Sequence, residues 1–257
     1  MGTALATDEE RILPLEVLHV PMHLPLTWLR LGWRDLRRNW AASLGYGALI
    51  AALGWTILLV SATDPYLIAA AITGFLLVGP LMSAGLCEMS RRYSQGRSAS
   101  FDDSLDGFAR NAPALVEFGI LLALCAIAWF TVSAVMLHTV FRLGVPGIRE
   151  TMYQGFLQAT NRRQILAYAA VGGLLAAAVF AVSVVAVPLI VDRHASAIQA
   201  IRASIRAVLG NIPAMIVWSG LILLATIVGY APLLFGLVLI VPLLGHATWH
   251  AYRGLIR

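Results

Sequence analysis

Residues 214–250 read AMIVWSGLILLATIVGYAPLLFGLVLIVPLLGHATWH, an apolar block without Asp, Glu, Lys or Arg. A membrane-spanning helix needs about 20 apolar residues, so one helix over this whole block would be far too long for the bilayer. Gly229, Tyr230, Ala231 and Pro232 form a natural break, because glycine and proline interrupt helices. The block therefore predicts two spans, 214–229 and 232–250.

Four further apolar blocks precede this one, at 41–61, 66–87, 114–140 and 165–191. The 257 residues are 60% hydrophobic and 12% charged, with a mean hydropathy of +0.81. A soluble domain usually carries about 25% charged residues, so this chain has too little polar surface to cover a water-soluble globule. We expect an all-α polytopic membrane protein of about six transmembrane helices.

The composition also excludes several classes of protein. All 18 basic residues are arginines that flank apolar spans, so the net charge of +5 indicates membrane topology rather than nucleic-acid binding. Cys87 and Cys125 both lie inside apolar runs, which excludes a disulfide framework or a zinc motif. The opening MGTALATDEE lacks the basic region of a signal peptide. We therefore expect residues 1–23 to form an extended cytoplasmic arm.

An internal repeat organises residues 24–257 into a single transmembrane domain. Asn39, Asn111 and Asn211 each open a hairpin of two apolar segments. A small residue follows eight positions after each asparagine, and a Pro-Leu pair lies late in each second segment: Gly47, Gly119 and Ser219, then Pro80-Leu81, Pro188-Leu189 and Pro242-Leu243. Because one hairpin buries little apolar surface alone, adjacent copies are expected to pack together. The units are approximately 24–92, 98–194 and 195–257.

Each asparagine is preceded by a short amphipathic segment. Apolar residues recur every three or four positions before Asn39, before Asn111 and before Asn211. Ser100 and Asp103 add a capping-box pattern to the second copy. Such segments are too polar to span a bilayer, so they predict cytoplasmic-side helices that lie in the membrane interface.

The arginine distribution predicts the orientation. An even number of spans per repeat places the three interfacial helices on one side, where 14 of the 18 arginines also lie. The positive-inside rule makes that side cytoplasmic, so both chain ends are expected in the cytoplasm of a bacterial inner membrane. Aromatic residues agree: Trp28, Trp33, Trp40, Trp249 and Tyr252 are expected at the cytoplasmic headgroups, and Trp55 and Trp129 at the opposite ones.

Ionisable groups at membrane depth are the candidate functional residues, because burying them is costly. Glu117 lies about a turn and a half into the third span, where it could serve a proton or a substrate. Its alternative is an interfacial carboxylate paired with an arginine such as Arg110. His138 lies near the outer end of the same span, with a purely structural role as its alternative. Glu88 lies beside Arg91 and Arg92 and is expected to form a helix-end ion pair.

His246 and His250 are four residues apart and share one helical face. That spacing can hold a metal, or one of the two could ligate haem. Histidines at an interface are also ordinary anchors, and no third ligand is evident. We therefore expect no cofactor, and keep the pair as the candidate metal ligands.

Several segments resemble one family. They are Gly32–Asn39, Gly79–Leu81, Pro188–Arg193 and Pro242–Arg253. Together they are similar to the bacterial integral membrane proteins of domain of unknown function 2189, over roughly residues 24–255. The resemblance implies a six-span inner-membrane protein and no established activity. Some members carry the label of cytochrome c oxidase subunit. A haem-copper oxidase needs several intramembrane histidines on different helices, whereas here His138, His246 and His250 are available.

Two classes of function stay open. No phosphate-binding glycine loop, zinc-protease helix or nucleophile elbow is present, so we expect no enzyme. The first class is a non-catalytic accessory or scaffold component of a membrane complex, such as a respiratory one. The second is a transporter or channel for a small solute or lipid. Expected partners are the bilayer, other complex subunits or a homo-oligomer, without nucleic acid. Polar residues near the midplane are scarce, which favours the accessory role.

Overall fold

The computed structural model describes residues 15–61, 65–139 and 162–257, and these residues form helices without a β-strand. The helices are α1 (Leu24–Arg38), α2 (Trp40–Ser61), α3 (Pro65–Ser94), α4 (Phe101–Ala109), α5 (Ala112–Thr139), α6 (Arg162–Ser183), α7 (Ala186–Arg193), α8 (Ala197–Gly210), α9 (Ile212–Tyr230) and α10 (Leu237–Leu255). The predicted all-α class is confirmed.

Four segments among the described residues are both long enough and apolar enough to cross a membrane. They are Trp40–Ile57, Ala112–Ser133, Leu166–Arg193 and Ile212–Tyr230. Large apolar side chains on these segments are exposed, among them Ile120, Leu124, Leu174 and Leu223. Contiguous apolar exposure of this kind is unfavourable in water, so lipid or another protein covers it.

Helices α1, α4 and α8 are amphipathic, and each ends within two residues of a repeat asparagine, Asn39, Asn111 or Asn211. Ser100 and Asp103 form the expected capping box at the start of α4. Ser196 and Gln199 form a second capping box at the start of α8, which the sequence analysis missed. α1 begins with Pro25 in its first turn, where a missing N–H costs little.

The predicted span 165–191 is not one helix. It consists of α6 and α7, with a break at Val184 and Val185. Pro188 lies in the first turn of α7, where its lack of an N–H is tolerated. The hydroxyl of Ser204, from α8, donates to the Ala181 carbonyl at 2.7 Å and lies 3.5 Å from the Val185 amide. In a continuous helix the Val185 amide would donate to the Ala181 carbonyl. Here the hydroxyl of Ser204 lies between the two groups and replaces that hydrogen bond.

The break in the last apolar block falls where it was expected, but the second helix begins later. α9 ends at Tyr230 and α10 begins at Leu237 rather than near residue 232. Leu233 and Leu234 adopt left-handed backbone angles, with φ of 51° and 71°. Non-glycine residues rarely adopt this conformation and cannot continue a right-handed helix there.

The core lies at the end of the bundle that carries α1, α4 and α8. Its members include Ala84 and Cys87 of α3, the buried residues between Ala186 and Val191 of α7, and several residues from Ala247 to Leu255 of α10. Trp28 packs edge-on against Trp218, with the ring centroids 5.7 Å apart. Trp28, Trp249 and Tyr252, which the sequence predicts at the cytoplasmic headgroups, are buried inside the protein, so they do not contact lipid directly. Trp33 and Trp40 are exposed as expected.

Candidate functional site

The three repeat asparagines connect the short helices head to tail. The side-chain amide of Asn39, after α1, donates to the Ala99 carbonyl, just before α4, at 2.9 Å. The amide of Asn111, after α4, donates to the Ala195 carbonyl, just before α8, at 2.9 Å. The amide of Asn211, after α8, donates to the carbonyl of Leu18, ahead of α1, at 3.0 Å. The three contacts close a ring of α1, α4 and α8, called the ring below.

The ring closes through the first described residues. Val17 forms a β-bridge with Ile256, and the Val20 amide donates to the side-chain oxygen of Asn211 at 2.8 Å. Residues 16–18 also exchange backbone hydrogen bonds with residues 255–257. Residues 15–20 of the predicted arm are therefore held against the bundle, whereas residues 1–14 lie outside the described part.

Arginines next to two of the asparagines bind the ends of longer helices. Arg38 donates to the carbonyl of Tyr93, in the last turn of α3, at 3.3 Å. Arg110 donates to the carbonyl of Val191, in the last turn of α7, at 2.9 Å. A cation at a helix C-terminus satisfies free carbonyls and complements the helix dipole. The third copy has Gly210 at this position, so this contact is not repeated there.

Glu88 is the centre of a buried ion cluster. Arg91 contacts it at 2.7 Å and Arg92 at 3.0 Å, as the sequence predicted. Arg92 also binds Asp103 at 2.6 Å and Asp106 at 2.5 Å, and thereby ties α4 to α3. Hydrogen bonds from the backbone and hydroxyl of Ser100, with the neighbouring Arg92, lower the pKa of Asp103. The cluster fixes one short helix of the ring to a long helix.

His246 and His250 bind separate partners. The ring nitrogens of His246 lie 3.0 Å from the Ser43 hydroxyl and 2.8 Å from the Ser90 hydroxyl. Nε2 of His250 lies 2.7 Å from the carboxylate of Asp35. Both nitrogens of His246 are thus engaged within the chain. In the described part, no group of three or more His, Cys, Asp or Glu side chains converges on a common point, so the geometry lends no support to the proposed metal ligands.

Asp35 is a functional candidate that the sequence analysis missed. It is buried at 1% exposure although it lies in a helix rich in arginine. Burial alone would raise the pKa of its carboxyl, but the hydrogen bond and charge of His250 outweigh burial and lower that pKa. The sequence feature that could have identified Asp35 is its spacing from Trp28 and Gly32, because the three residues share one face of α1.

Glu117 does not join the buried polar groups of the ring end. Glu117 lies on the exposed face of α5, and Arg110, its suggested partner, lies 3.8 Å from Glu88 instead. Among the described residues Glu117 has no hydrogen-bond or ion-pair partner. His138 lies in α5, but its side chain falls outside the described part of the chain. Glu117 is therefore not brought together with those buried polar groups.

Tyr252 completes the polar region by linking α7 to α10. Its hydroxyl donates to the Asp192 carboxylate at 2.7 Å and accepts a hydrogen bond from Arg193 at 3.1 Å. These residues come from two of the segments on which the family resemblance rests. The contacts of Tyr252 therefore hold α7 to α10.

The family described as predicted integral membrane protein (DUF2189) matches residues 67–192. This segment belongs to DUF2189. No curated protein and no solved structure matches the chain. The DUF2189 segment runs from α3 through α7, so it contains Glu88, Asn111 and the contact between Arg110 and Val191. Asn39, Asn211 and the two histidines of α10 lie outside it. The family match agrees with the apolar helices in making this an integral membrane protein.

Proposed function

We propose that the chain is a non-catalytic accessory or scaffold subunit of a bacterial inner-membrane complex, such as a respiratory one. One observation carries the proposal: the buried Glu88, Arg91 and Arg92 and the buried His246 of the ring end are bound by other groups of the chain. Glu88 is bound by Arg91 and Arg92, and His246 by two serines. Polar groups whose hydrogen bonds are already made within the chain stabilise a fixed arrangement of helices. They have few free donors or acceptors with which to bind a substrate.

The outward surfaces are the second support. Val116, Ile120, Leu124 and Ile127 form one exposed apolar face of α5. Leu223, Leu224, Ile227 and Val228 form another on α9. A rigid body with broad apolar faces at membrane depth is suited to packing against the helices of a partner subunit.

A transporter requires a polar, water-filled site near the midplane. The cavity between α5 and α6 is lined by apolar and small side chains, with Ser183 and Tyr168 as its hydroxyl-bearing members. Glu117 does not line it and lies on the outer face of α5. These features favour the accessory role over the transport alternative.

The ring supports a topology of six spans built from three hairpins. Because Asn39 holds the segment before α4, the chain must return to the side of α1 after α2 crosses, which requires α3 to cross as well. Because Val17 pairs with Ile256, α10 must likewise return after α9. At about 1.5 Å per residue, the 30 residues of α3 and the 19 of α10 are long enough. With 14 of 18 arginines predicted on the ring side, the positive-inside rule supports a cytoplasmic position for the ring.

The proposal is tested by purifying the tagged protein from its native membrane in a mild detergent and quantifying co-purifying proteins by mass spectrometry. We expect membrane-complex subunits in fixed stoichiometry with the chain. Bulky substitutions on the exposed faces, Ile120→Trp and Leu223→Trp, should displace a partner helix, because packed interfaces do not accommodate added volume.

Leu174→Trp serves as the control, because it adds the same bulk at an exposed position of a different helix, α6. Each variant must keep the wild-type yield and thermal unfolding temperature. A chain that purifies alone or as a homo-oligomer contradicts the accessory role. Loss of solute uptake into vesicles on Glu117→Gln, with normal expression, supports the transport alternative instead.

A further inference from the structure

α5 and α6 enclose an open groove of about 530 Å³. From α5 it is lined by Leu122, Cys125, Ala126 and Trp129, and from α6 mainly by small or apolar residues between Tyr168 and Ser183. A groove of this volume falls within the usual range of small-molecule sites. None of the residues of the buried polar network described above lines it.

Small residues of α6 create the groove. A Cβ built on Gly172 would lie 2.8 Å from the Trp129 ring, so the glycine lets the indole pack directly on the helix backbone. A Cβ on the next residue, Gly173, would meet nothing within 4 Å. The space beside Gly173 is therefore open, and its neighbour Leu174 is exposed on the outer surface of the same helix.

The hydroxyl groups of the groove, those of Tyr168 and Ser183, are satisfied within the chain. The hydroxyl of Tyr168 lies 2.6 Å from that of Ser133, which joins α5 to α6. The hydroxyl of Ser183 donates to the Val179 carbonyl at 2.6 Å. A ligand of this groove is therefore recognised by apolar contact, since desolvating polar ligand groups there would not be compensated.

The position of the groove along α5 indicates which class of molecule binds in it. Leu122–Trp129 lie 10 to 17 residues into α5, which is about 15–26 Å from the ring end of the helix. That depth lies within the hydrocarbon layer, in the half of the membrane remote from the ring. Trp129 and Tyr168, with ring centroids 5.5 Å apart, are residue types that prefer the headgroup boundary.

We propose that this groove binds one acyl chain of a phospholipid from the membrane leaflet remote from the ring. The chain lies along Gly172, Gly173 and Ala176, and its headgroup end lies near Trp129 and Tyr168. This binding site is independent of the accessory role, because the lipid occupies a face that need not contact another subunit.

The test is native mass spectrometry of the purified protein after exchange into a lipid-free detergent. We expect one retained phospholipid on the wild-type chain. Gly173→Phe fills the open part of the groove and should lower the retained fraction about tenfold, which corresponds to losing roughly two buried methylene contacts. Leu174→Phe adds similar bulk on the adjacent outer surface and should leave retention unchanged.

Cys125 provides a second readout that needs no groove mutation. Cys125 is half-buried in the groove, whereas Cys87 is fully buried. Added phosphatidylethanolamine should slow the reaction of Cys125 with an apolar maleimide, with Cys87 unreactive throughout. The proposal is overturned if no phospholipid is retained, if the retained mass is another apolar molecule, or if the lipid leaves the labelling rate unchanged. Equal retention by the wild type and a folded Gly173→Phe also overturns it.

Discussion

The hydroxyl of Ser204 donates to the carbonyl of Ala181 at 2.7 Å, 23 residues away along the chain. It thereby joins a short helix of the ring to the break between α6 and α7. A carbonyl and an amide that a continuous helix would pair with each other, those of Ala181 and Val185, both face this one side chain. The broken helix and the ring consequently depend on the same contact.

Ser204→Ala should destabilise the protein by about 1–3 kcal/mol, because it leaves a buried carbonyl without its donor. The thermal unfolding temperature in detergent measures the effect. Ser219→Ala is the matched control, since Ser219 is a half-buried serine of α9 that donates to the Ile216 carbonyl of its own helix. An equal fall in the unfolding temperature of both variants would mean that the Ser204 contact across the break stabilises the protein no more than an ordinary intrahelical serine contact does.

Asn211→Ala should be the most damaging of the three ring substitutions. Asn211 is buried and binds Leu18, Val20 and the Ala207 carbonyl. Its loss should release the segment around Glu16, so cleavage there by a glutamyl endopeptidase should accelerate. Asn39→Ala removes a ring contact elsewhere and serves as the control, with unchanged cleavage at Glu16. Equal cleavage rates in both variants would show that Asn211 does not hold this segment.

Acid should loosen the ring. Asp35 and Asp103 both have a lowered pKa in the folded protein. A group whose pKa is lower when folded contributes stability above its unfolded value, and this stability is lost as the pH falls through the folded value. The unfolding temperature should therefore fall at pH values below about 4. Asp103→Asn should flatten this decline.

Asp102→Asn is the control for charge alone. Asp102 is an exposed neighbour that lacks a hydrogen-bond partner among the described residues. If it flattens the acid decline as much as Asp103→Asn does, general charge repulsion is the cause rather than the bonds to Ser100 and Arg92.

Reporter fusions test the six-span topology. Fusions at Asp64, Gly155 and Ala231 should report the periplasm, and a fusion at Gly96 the cytoplasm. The reason is that two spans separate consecutive ring helices. A cytoplasmic signal at Gly155 alone would contradict the arrangement of the middle hairpin, and a periplasmic signal at Gly96 would contradict the position of the ring.

Local chemistry made much of this fold predictable. The break after each repeat asparagine, the capping box at Ser100 and the turn near Gly229 follow from residue types at short range. The break before α7 was missed because Ser204 acts on it from another helix. The bond between Asp35 and His250 joins residues 215 positions apart. Periodicity suggests which side chains face inward, but it cannot identify a partner at that separation.

Ring closure imposes an order on the assembly of the protein. Chains grow from the first residue onward, so the contacts of Asn39 with Ala99 and of Asn111 with Ala195 can form while synthesis continues. Residues 16–18 must instead wait for Asn211 and Ile256, which emerge much later. The oldest described segment of the nascent chain is thus among the last to be fixed, and until then α1 lacks the neighbour against which Gly32 packs, Ala247.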